Sequence, residues 1–218
     1  MMREHPERFP WTELSLADPI GPFTGIKLAR LTGEPRRCRA LMRSAGLAEQ
    51  PFEPPAPADS RCRVDDAVRI RPEDARSIGY TPGGLATSCP VAAALALWER
   101  DVVQPAARRH FGSRVTRIDH AGSYSCRRLY GRSAGQFSEH ATADAIDILG
   151  FRLANGHRIS VLRDWRGEAE ERAFLREVRD GGCDLFSTVL SPDYNAAHAD
   201  HFHLDQAERG AFGWRLCN

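Results

Sequence analysis

Three histidines fall within six residues near the carboxyl end of the chain, in His198-Ala-Asp-His201-Phe-His203. An HxxHxH run is expected by chance in roughly one in a hundred chains of this histidine content, so it indicates a function. Residues two apart in an extended chain point to the same side, and His201 and His203 would therefore project from one face of a strand. We expect one metal ligand here, with a neighbouring histidine that assists it.

A second group lies upstream, in Ser138-Glu-His140 and at Asp147. Asp147 stands among apolar residues, where an ionised carboxylate is costly unless it is paired or bound to a metal. His140, Asp147 and a histidine of the later cluster would leave the fourth tetrahedral position to water, which is the composition of a catalytic Zn²⁺ site. The alternative is that Asp147 pairs with an arginine and His140 lies on the surface.

Helix and strand signals surround these residues. The predicted helices are Pro35 to Ser44, a helix from Cys89 that kinks or restarts at Pro105 and ends at Gly112, and Glu168 to Asp180. The predicted strands are Val115 to Ile118, Ala145 to Leu153, Ile159 to Leu162, Leu185 to Leu190 and Phe202 to Leu204. Asn155-Gly156 predicts a type I′ hairpin turn. The pattern favours an α+β fold with a small, mostly antiparallel sheet and flanking helices.

The charge balance argues against one class of partner. Thirty basic and 29 acidic residues leave a formal net charge of +1, so we expect no nucleic-acid partner. The longest uncharged stretch, Ser77 to Trp98, is interrupted by prolines and glycines. Its continuous apolar part, Val91 to Trp98, is too short to cross a bilayer, and we expect no membrane span in this chain.

Six cysteines are dispersed along the chain without a CxxC pair. Such an even, scattered set is typical of three disulfides in an oxidising compartment, whereas six buried free thiols are the alternative. We expect Cys38 to pair with Cys62. The charged N-terminal residues contain no apolar core, so no signal peptide is visible in the sequence.

A boundary is predicted near residue 63. Residues 1–63 are interpreted as an accessory segment and residues 64–218 as the domain that carries the candidate site. Four prolines between Pro51 and Pro57 favour extended polyproline geometry, which is typical of a linker or of a strap lying on the surface.

Together the two motifs resemble a known family. SxHxxxxAxD followed by HxxHxH is similar to the zinc D-alanyl-D-alanine carboxypeptidases and murein endopeptidases, whose fold is shared with the hedgehog signalling domain. The closer resemblance is to bacterial extensin-like C-terminal domain proteins, from about Cys38 to the end of the chain. It rests on Gly122-Ser-Tyr-Ser-Cys-Arg127, Ser138-Glu-His140, Asp147-Ile-Leu-Gly-Phe151, Pro192-Asp-Tyr-Asn195 and His203-Leu-Asp205. It implies a hedgehog/DD-peptidase-like fold.

The resemblance also implies which residues hold the metal. His140, Asp147 and His203 match the Zn²⁺ ligands, and His201 matches a histidine that stands beside the metal without binding it. Arg127 falls where the family places an arginine that helps to hold the substrate or the tetrahedral intermediate. Four further positions complete the implied site: Arg128 as the rival of Arg127, Ser138 and Tyr194 for substrate binding, and Ala143, where the peptidases often carry glycine.

Two residues compete for the role of general base. Asp200 matches a carboxylate of the carboxypeptidases, and His198 matches a histidine of the endopeptidases. An imidazole titrates near neutral pH, which favours His198.

The implied function is hydrolysis of a peptide bond in bacterial peptidoglycan by a zinc-dependent carboxypeptidase or endopeptidase. The alternative is a zinc-containing cell-wall binding module in which the metal only orders the fold. Either function implies a periplasmic or extracellular location, in agreement with the cysteines.

Overall fold

The structure, a computed structural model, describes residues 5–47, 49–51, 57, 59–70, 78–209 and 214–218. In these ranges the α-helices are α1 (Thr24–Ala29), α2 (Pro35–Ser44), α3 (Cys89–Trp98), α4 (Gln104–Phe111), α5 (Val161–Asp164) and α6 (Ala169–Gly182). The strands are β1 (Glu49–Pro51), β2 (Ala67–Ile70), β3 (Gly79–Thr81), β4 (Leu85–Ser88), β5 (Val115–Gly122), β6 (Ala145–Leu153), β7 (Arg158–Ser160), β8 (Thr188–Leu190), β9 (Phe202–Asp205) and β10 (Leu216–Cys217). Most of the predicted proline strap, 52–56, lies outside the described residues.

Helix α3 is the central helix of the core. Ser88 caps it, since the Ser88 Oγ accepts a hydrogen bond from the Val91 N–H at 3.4 Å, and Pro90 lies in its first turn. Nearly all of its side chains are buried. A π-helical stretch, Glu99–Val103, leads into α4, which ends at Gly112 with φ 59°. The predicted helix, its restart near Pro105 and its end at Gly112 are confirmed.

The strands form two sheets in the described chain. β1, β2 and β4 make an antiparallel sheet, and the larger sheet has the order β10-β8-β9-β6-β5-β3 with β7 paired to β6. In the larger sheet β3 and β5 are parallel, as are β10 and β8, while the central pairs are antiparallel. The α+β class is confirmed, but the mostly antiparallel sheet is corrected to a mixed one. The chain crosses over through α3 and α4 before β5, which lets β5 run parallel to β3.

The hairpin of β6 and β7 is present, with a different turn from the predicted one. Gly156 has φ 88°, whereas Asn155 is not among the residues with positive φ. A type I′ turn needs two such residues, so that prediction is wrong. The loop is longer, closed by a 2.9 Å hydrogen bond from the Leu153 N–H to the His157 carbonyl. Val161 and Leu162, predicted in a strand, belong to α5.

Three disulfides join distant parts of the chain: Cys38–Cys89, Cys62–Cys126 and Cys183–Cys217. The expected number is confirmed, and the expected Cys38–Cys62 bond is wrong. Cys38 is buried on α2 against the first residue of α3, whereas Cys62 is buried beside the segment that follows β5. These bonds indicate an oxidising location outside the cytoplasm.

The N-terminal residues contribute to the main core. Leu28, Leu31 and Met42 belong to the same buried cluster as α3 and β6. The boundary at residue 63 stays a prediction. Among the described residues no helix is both long and apolar enough to cross a membrane.

Candidate metal centre

Two neighbouring strands and a short helix bring His140, Asp147 and His203 together. Asp147 on β6 and His203 on β9 are direct partners of an antiparallel pair, so their side chains leave the same face of the sheet. His140 lies in the 3₁₀-helix Glu139–Thr142. Ser138 caps this helix, since its hydroxyl accepts a hydrogen bond from the His140 N–H at 3.4 Å.

The ligand atoms of these residues converge. The Asp147 Oδ1 lies 3.2 Å from the His140 Nε2 and 3.0 Å from the His203 Nδ1, and the two ring nitrogens are 3.2 Å apart. All three atoms lie within 4.8 Å of one another. The structure therefore brings together the three residues that the sequence assigned as metal ligands.

Each histidine is oriented through its other ring nitrogen. The His140 Nδ1 is 2.8 Å from the Ser123 carbonyl oxygen, and the His203 Nε2 is 3.1 Å from the Asp205 Oδ2. Because a carbonyl and an ionised carboxylate only accept, these nitrogens carry the protons. In the neutral rings the lone pairs of the His140 Nε2 and the His203 Nδ1 then face Asp147, as metal ligands must.

The charges of the cluster are strongly coupled. Burial alone would lower the pKa of His203, but hydrogen bonds to Asp147 and Asp205 outweigh it and raise the pKa to about 9. Burial would likewise raise the pKa of Asp147, but His140 and His203 hold it well below its usual range. Without a metal the cluster is thus an imidazolium and carboxylate pair, whose proton a metal ion would replace.

The donor set fits Zn²⁺. Two imidazole nitrogens and one carboxylate oxygen are ligands that zinc prefers, and three protein ligands are typical of catalytic sites. The Asp205 carboxylate behind His203 and the Ser123 carbonyl behind His140 supply the supporting hydrogen bonds that such ligands normally have. His140, Asp147 and His203 would hold the ion.

The other histidines of the later cluster stand beside this centre. The His201 Nε2 lies 3.5 Å from the Asp147 Oδ1, and its Nδ1 lies 2.7 Å from the Asp200 Oδ1. The ring of His198 is centred 5.1 Å from that of His201 and 6.0 Å from that of His203. Burial and the neighbouring imidazoles lower the pKa of His198 to about 4. Asp200 is exposed, with 56% of its side-chain area accessible.

A groove runs over the centre. Arg127, Ser138 and Tyr194 line it, in agreement with their predicted place in the site. Arg128 is not among its lining residues. The Arg128 guanidinium stacks on the Phe137 ring at 4.5 Å and donates a hydrogen bond to the Gly135 carbonyl. Arg128 therefore supports the groove wall, and Arg127 is the better placed of the two to meet a substrate.

Residues outside the predicted set also shape the site. Asp205 follows His203 by two residues on a strand, and this spacing puts both side chains on one face. Asn195 accepts a hydrogen bond from the His198 Nδ1 at 2.8 Å and so orients that ring. The Ser123 carbonyl acts through the backbone, for which the sequence offers no signal.

Ala143 occupies a backbone conformation that is uncommon for a residue with a side chain. It has φ 58°, in the left-handed region that glycine adopts without strain. Its carbonyl accepts hydrogen bonds from the Ser88 N–H, the Thr87 hydroxyl and the Ser123 hydroxyl. Ala143 is not among the residues that line the groove.

The fold and the centre define an α+β protein with a half-buried His₂Asp cluster at the floor of a groove. The family model for the extensin-like protein C-terminus matches residues 36–218, and the chain belongs to this family. The match begins close to Cys38, where the sequence resemblance was placed. No curated protein and no solved structure gives a significant match to the chain.

Proposed function

We propose that this protein is a zinc-dependent peptidase that hydrolyses a peptide bond in bacterial peptidoglycan, as a carboxypeptidase or an endopeptidase. The observation that carries the proposal is the convergence of the His140 Nε2, the Asp147 Oδ1 and the His203 Nδ1 under an open groove. The three disulfides support a periplasmic or extracellular place of action, where peptidoglycan is accessible.

Bound Zn²⁺ supplies a Lewis acid that polarises the scissile carbonyl and acidifies water. His198 is placed to take up the proton of an attacking water, because its ring lies beside those of His201 and His203 in the groove. Its pKa of about 4 keeps the ring neutral at pH 7 and makes it a weaker base than a free imidazole. Its Nδ1 faces the Asn195 Oδ1, which leaves the Nε2 lone pair free to accept the proton. Returning this proton to the leaving amine completes the hydrolysis.

Charged and polar groups around the centre complete the proposed site. His201, between Asp147 and Asp200, and Arg127 on the groove wall are the donors that would stabilise the oxyanion. Ser138 and Tyr194 line the groove where the peptide would lie. Asp200 is the competing base, since its exposed carboxylate lies two residues from His198 and bonds His201.

The decisive experiment is digestion of purified sacculi by the zinc-loaded protein, followed by chromatography of the released fragments. We expect His198→Ala to keep its zinc and its fold but to lose on the order of 10²-fold in hydrolysis, while Asp200→Asn retains most activity. If Asp200→Asn abolishes turnover and His198→Ala does not, Asp200 is the base. If the wild-type protein carries full zinc and sediments with sacculi without cleaving them, it is a binding module.

A further inference from the structure

Arg61 lies in the wall of the candidate groove although it comes from the predicted accessory segment. It belongs to the 3₁₀-helix Ser60–Cys62. The Cys62–Cys126 disulfide bonds this helix to the segment after β5, with 5.4 Å between the Cα atoms of the two cysteines. Arg61 precedes one cysteine and Arg127 follows the other, so the bond places both arginines at one side of the groove. Both line it.

The Arg61 side chain is held in a defined orientation. Its Nε and Nη2 donate to the two carboxylate oxygens of Asp59, at 2.9 and 2.5 Å. Its guanidinium stacks on the Phe137 ring, 4.6 Å from the centroid. The Tyr124 hydroxyl donates to the Cys62 carbonyl at 3.2 Å, which ties the helix to the segment after β5. Within the described residues Arg127 forms no ion pair with a carboxylate.

Two guanidinium groups, those of Arg61 and Arg127, line this side of the groove, and Arg128 stands behind them against the Phe137 ring. Asp59 pairs with Arg61, and the carboxyl group of Glu139 also lines the groove. A guanidinium fixed by one carboxylate and one ring is prearranged to bind a further acceptor, and planar carboxylates match it in geometry. The complementary ligand is therefore an anionic group of a peptide lying in the groove.

We propose that Arg61 and Arg127, juxtaposed by the Cys62–Cys126 disulfide, form a carboxylate-binding subsite. This subsite makes the protein select peptides with free carboxyl groups over the same peptides with amidated ones. The inference rests on the proposed function, since it names the substrate class of the same groove. Arg61 acts as a specificity-determining residue, and the disulfide as the element that positions it.

The test uses two synthetic peptidoglycan stem peptides, one with free carboxyl groups and one with these groups amidated. Dissociation constants and kcat/KM are measured on the zinc-loaded full chain at low salt. We expect the wild-type protein to bind the free-acid peptide with a Kd about fivefold or more below that of the amidated peptide. Arg61→Gln should lose this preference while its Kd for the amidated peptide stays the same. Cys62→Ser/Cys126→Ser should lose it as well, and added salt should reduce it in the wild type.

Arg63→Gln is the matched control, because it removes the same charge two residues further along the chain. The Arg63 side chain is exposed and pairs with Asp65 at 3.0 Å. Arg63→Gln should keep the preference. Equal weakening of acid and amide in Arg61→Gln would mean that Arg61 only builds the wall, which overturns the inference. Cleavage without any acid preference overturns the subsite and leaves the peptidase proposal intact. An Arg61-dependent preference without cleavage supports the subsite and removes the peptidase proposal.

Discussion

His203 is the most constrained side chain of the candidate centre, because a carboxylate faces each of its ring nitrogens. Asp147 lies 3.0 Å from Nδ1 on the groove side, and Asp205 lies 3.1 Å from Nε2 behind it. The two acids differ in role, since Asp205 is almost fully buried and contacts only the Nε2 side of the His203 ring, while Asp147 shares its Oδ1 with His140 and His203. Asp205 is thus a positioning residue for His203, and under the proposed zinc binding it would direct the Nδ1 lone pair toward the metal.

The ligand assignment predicts the effect of three substitutions. His140→Ala, Asp147→Ala and His203→Ala should each abolish stoichiometric zinc, because two ligands cannot hold the ion at micromolar concentrations. His157→Ala is the control, as this residue is exposed and pairs with Glu171 at 3.0 Å. The zinc content per chain is measured by metal analysis of protein purified without a histidine tag, and circular dichroism checks the fold. Full zinc occupancy in His140→Ala would refute the assignment.

Asp205→Asn tests the positioning role. An amide cannot accept as strongly as a carboxylate and can turn its NH₂ group to the ring, so we expect zinc affinity to fall about 10- to 100-fold. Competition with a chelator of known affinity measures this change. Asp200→Asn is the control, since that exposed carboxylate bonds His201, which is not a ligand. Unchanged affinity in Asp205→Asn would contradict the role.

At the scale of elements, the β6 and β9 pairing does most of the positioning. The sequence predicted both strands, because alternating apolar residues around Asp147 and His203 leave these two side chains on the opposite face. Their direct register could not be predicted, since it depends on how two segments 56 residues apart along the chain pair. The role of Asp205 was predictable from its i+2 spacing to His203.

The turn before β6 contains a second buried carboxyl group with a structural role. The Ser88 hydroxyl, which caps α3, donates to the Asp144 Oδ1 at 2.6 Å. Burial is the main cause that raises the pKa of Asp144 to about 7, while the Ser88 hydrogen bond opposes it. The folded-state pKa therefore exceeds the unfolded value of 3.8. The protonated Asp144 carboxyl therefore contributes fully to the stability of the fold below pH 3.8, and this contribution is lost as the pH rises through 7.

Asp144→Asn should remove this pH dependence. Asparagine never ionises and its Oδ1 can accept the same Ser88 hydrogen bond, so the variant should gain stability relative to the wild type between pH 4 and 8. The expected gain is on the order of 2–4 kcal/mol. Urea unfolding at several pH values in the presence of chelator measures it. Asp180→Asn, at an exposed residue, should follow the wild-type curve. If the free energy of unfolding of Asp144→Asn changes with pH in the same way as that of the wild type, the interpretation of Asp144 as a buried acid is contradicted.

At the scale of the whole molecule, prediction from the sequence succeeded where the signal is local. Helices α2 and α3 follow from proline and apolar spacing within ten residues each. The parallel edge strands β3 and β10 depend on partners far away in the chain, and so do the disulfides. A proline-rich stretch between Cys38 and Cys62 suggested a closed local loop, but Cys38 lies against α3 and Cys62 lies against the groove wall.

The disulfide pattern is a property of the whole molecule that mass spectrometry can test directly. Protein from an oxidising compartment should show a mass deficit of about six hydrogens relative to the reduced chain. Proteolysis without reduction should yield the three linked pairs Cys38–Cys89, Cys62–Cys126 and Cys183–Cys217. A peptide linking Cys38 to Cys62, or six free thiols, would contradict the fold in which α2 is bonded to α3.

The Cys38–Cys89 bond should carry much of the stability of the N-terminal region. It joins residues 51 apart in the sequence, and the loop-closure entropy removed from the unfolded chain corresponds to about 4 kcal/mol. We expect Cys38→Ala/Cys89→Ala to lower the free energy of unfolding by about that amount, measured by urea unfolding without reductant at fixed zinc. Neither cysteine is among the residues that line the groove, so zinc stoichiometry should be unchanged. A loss below about 1 kcal/mol would show that α2 and α3 are held together by apolar packing alone.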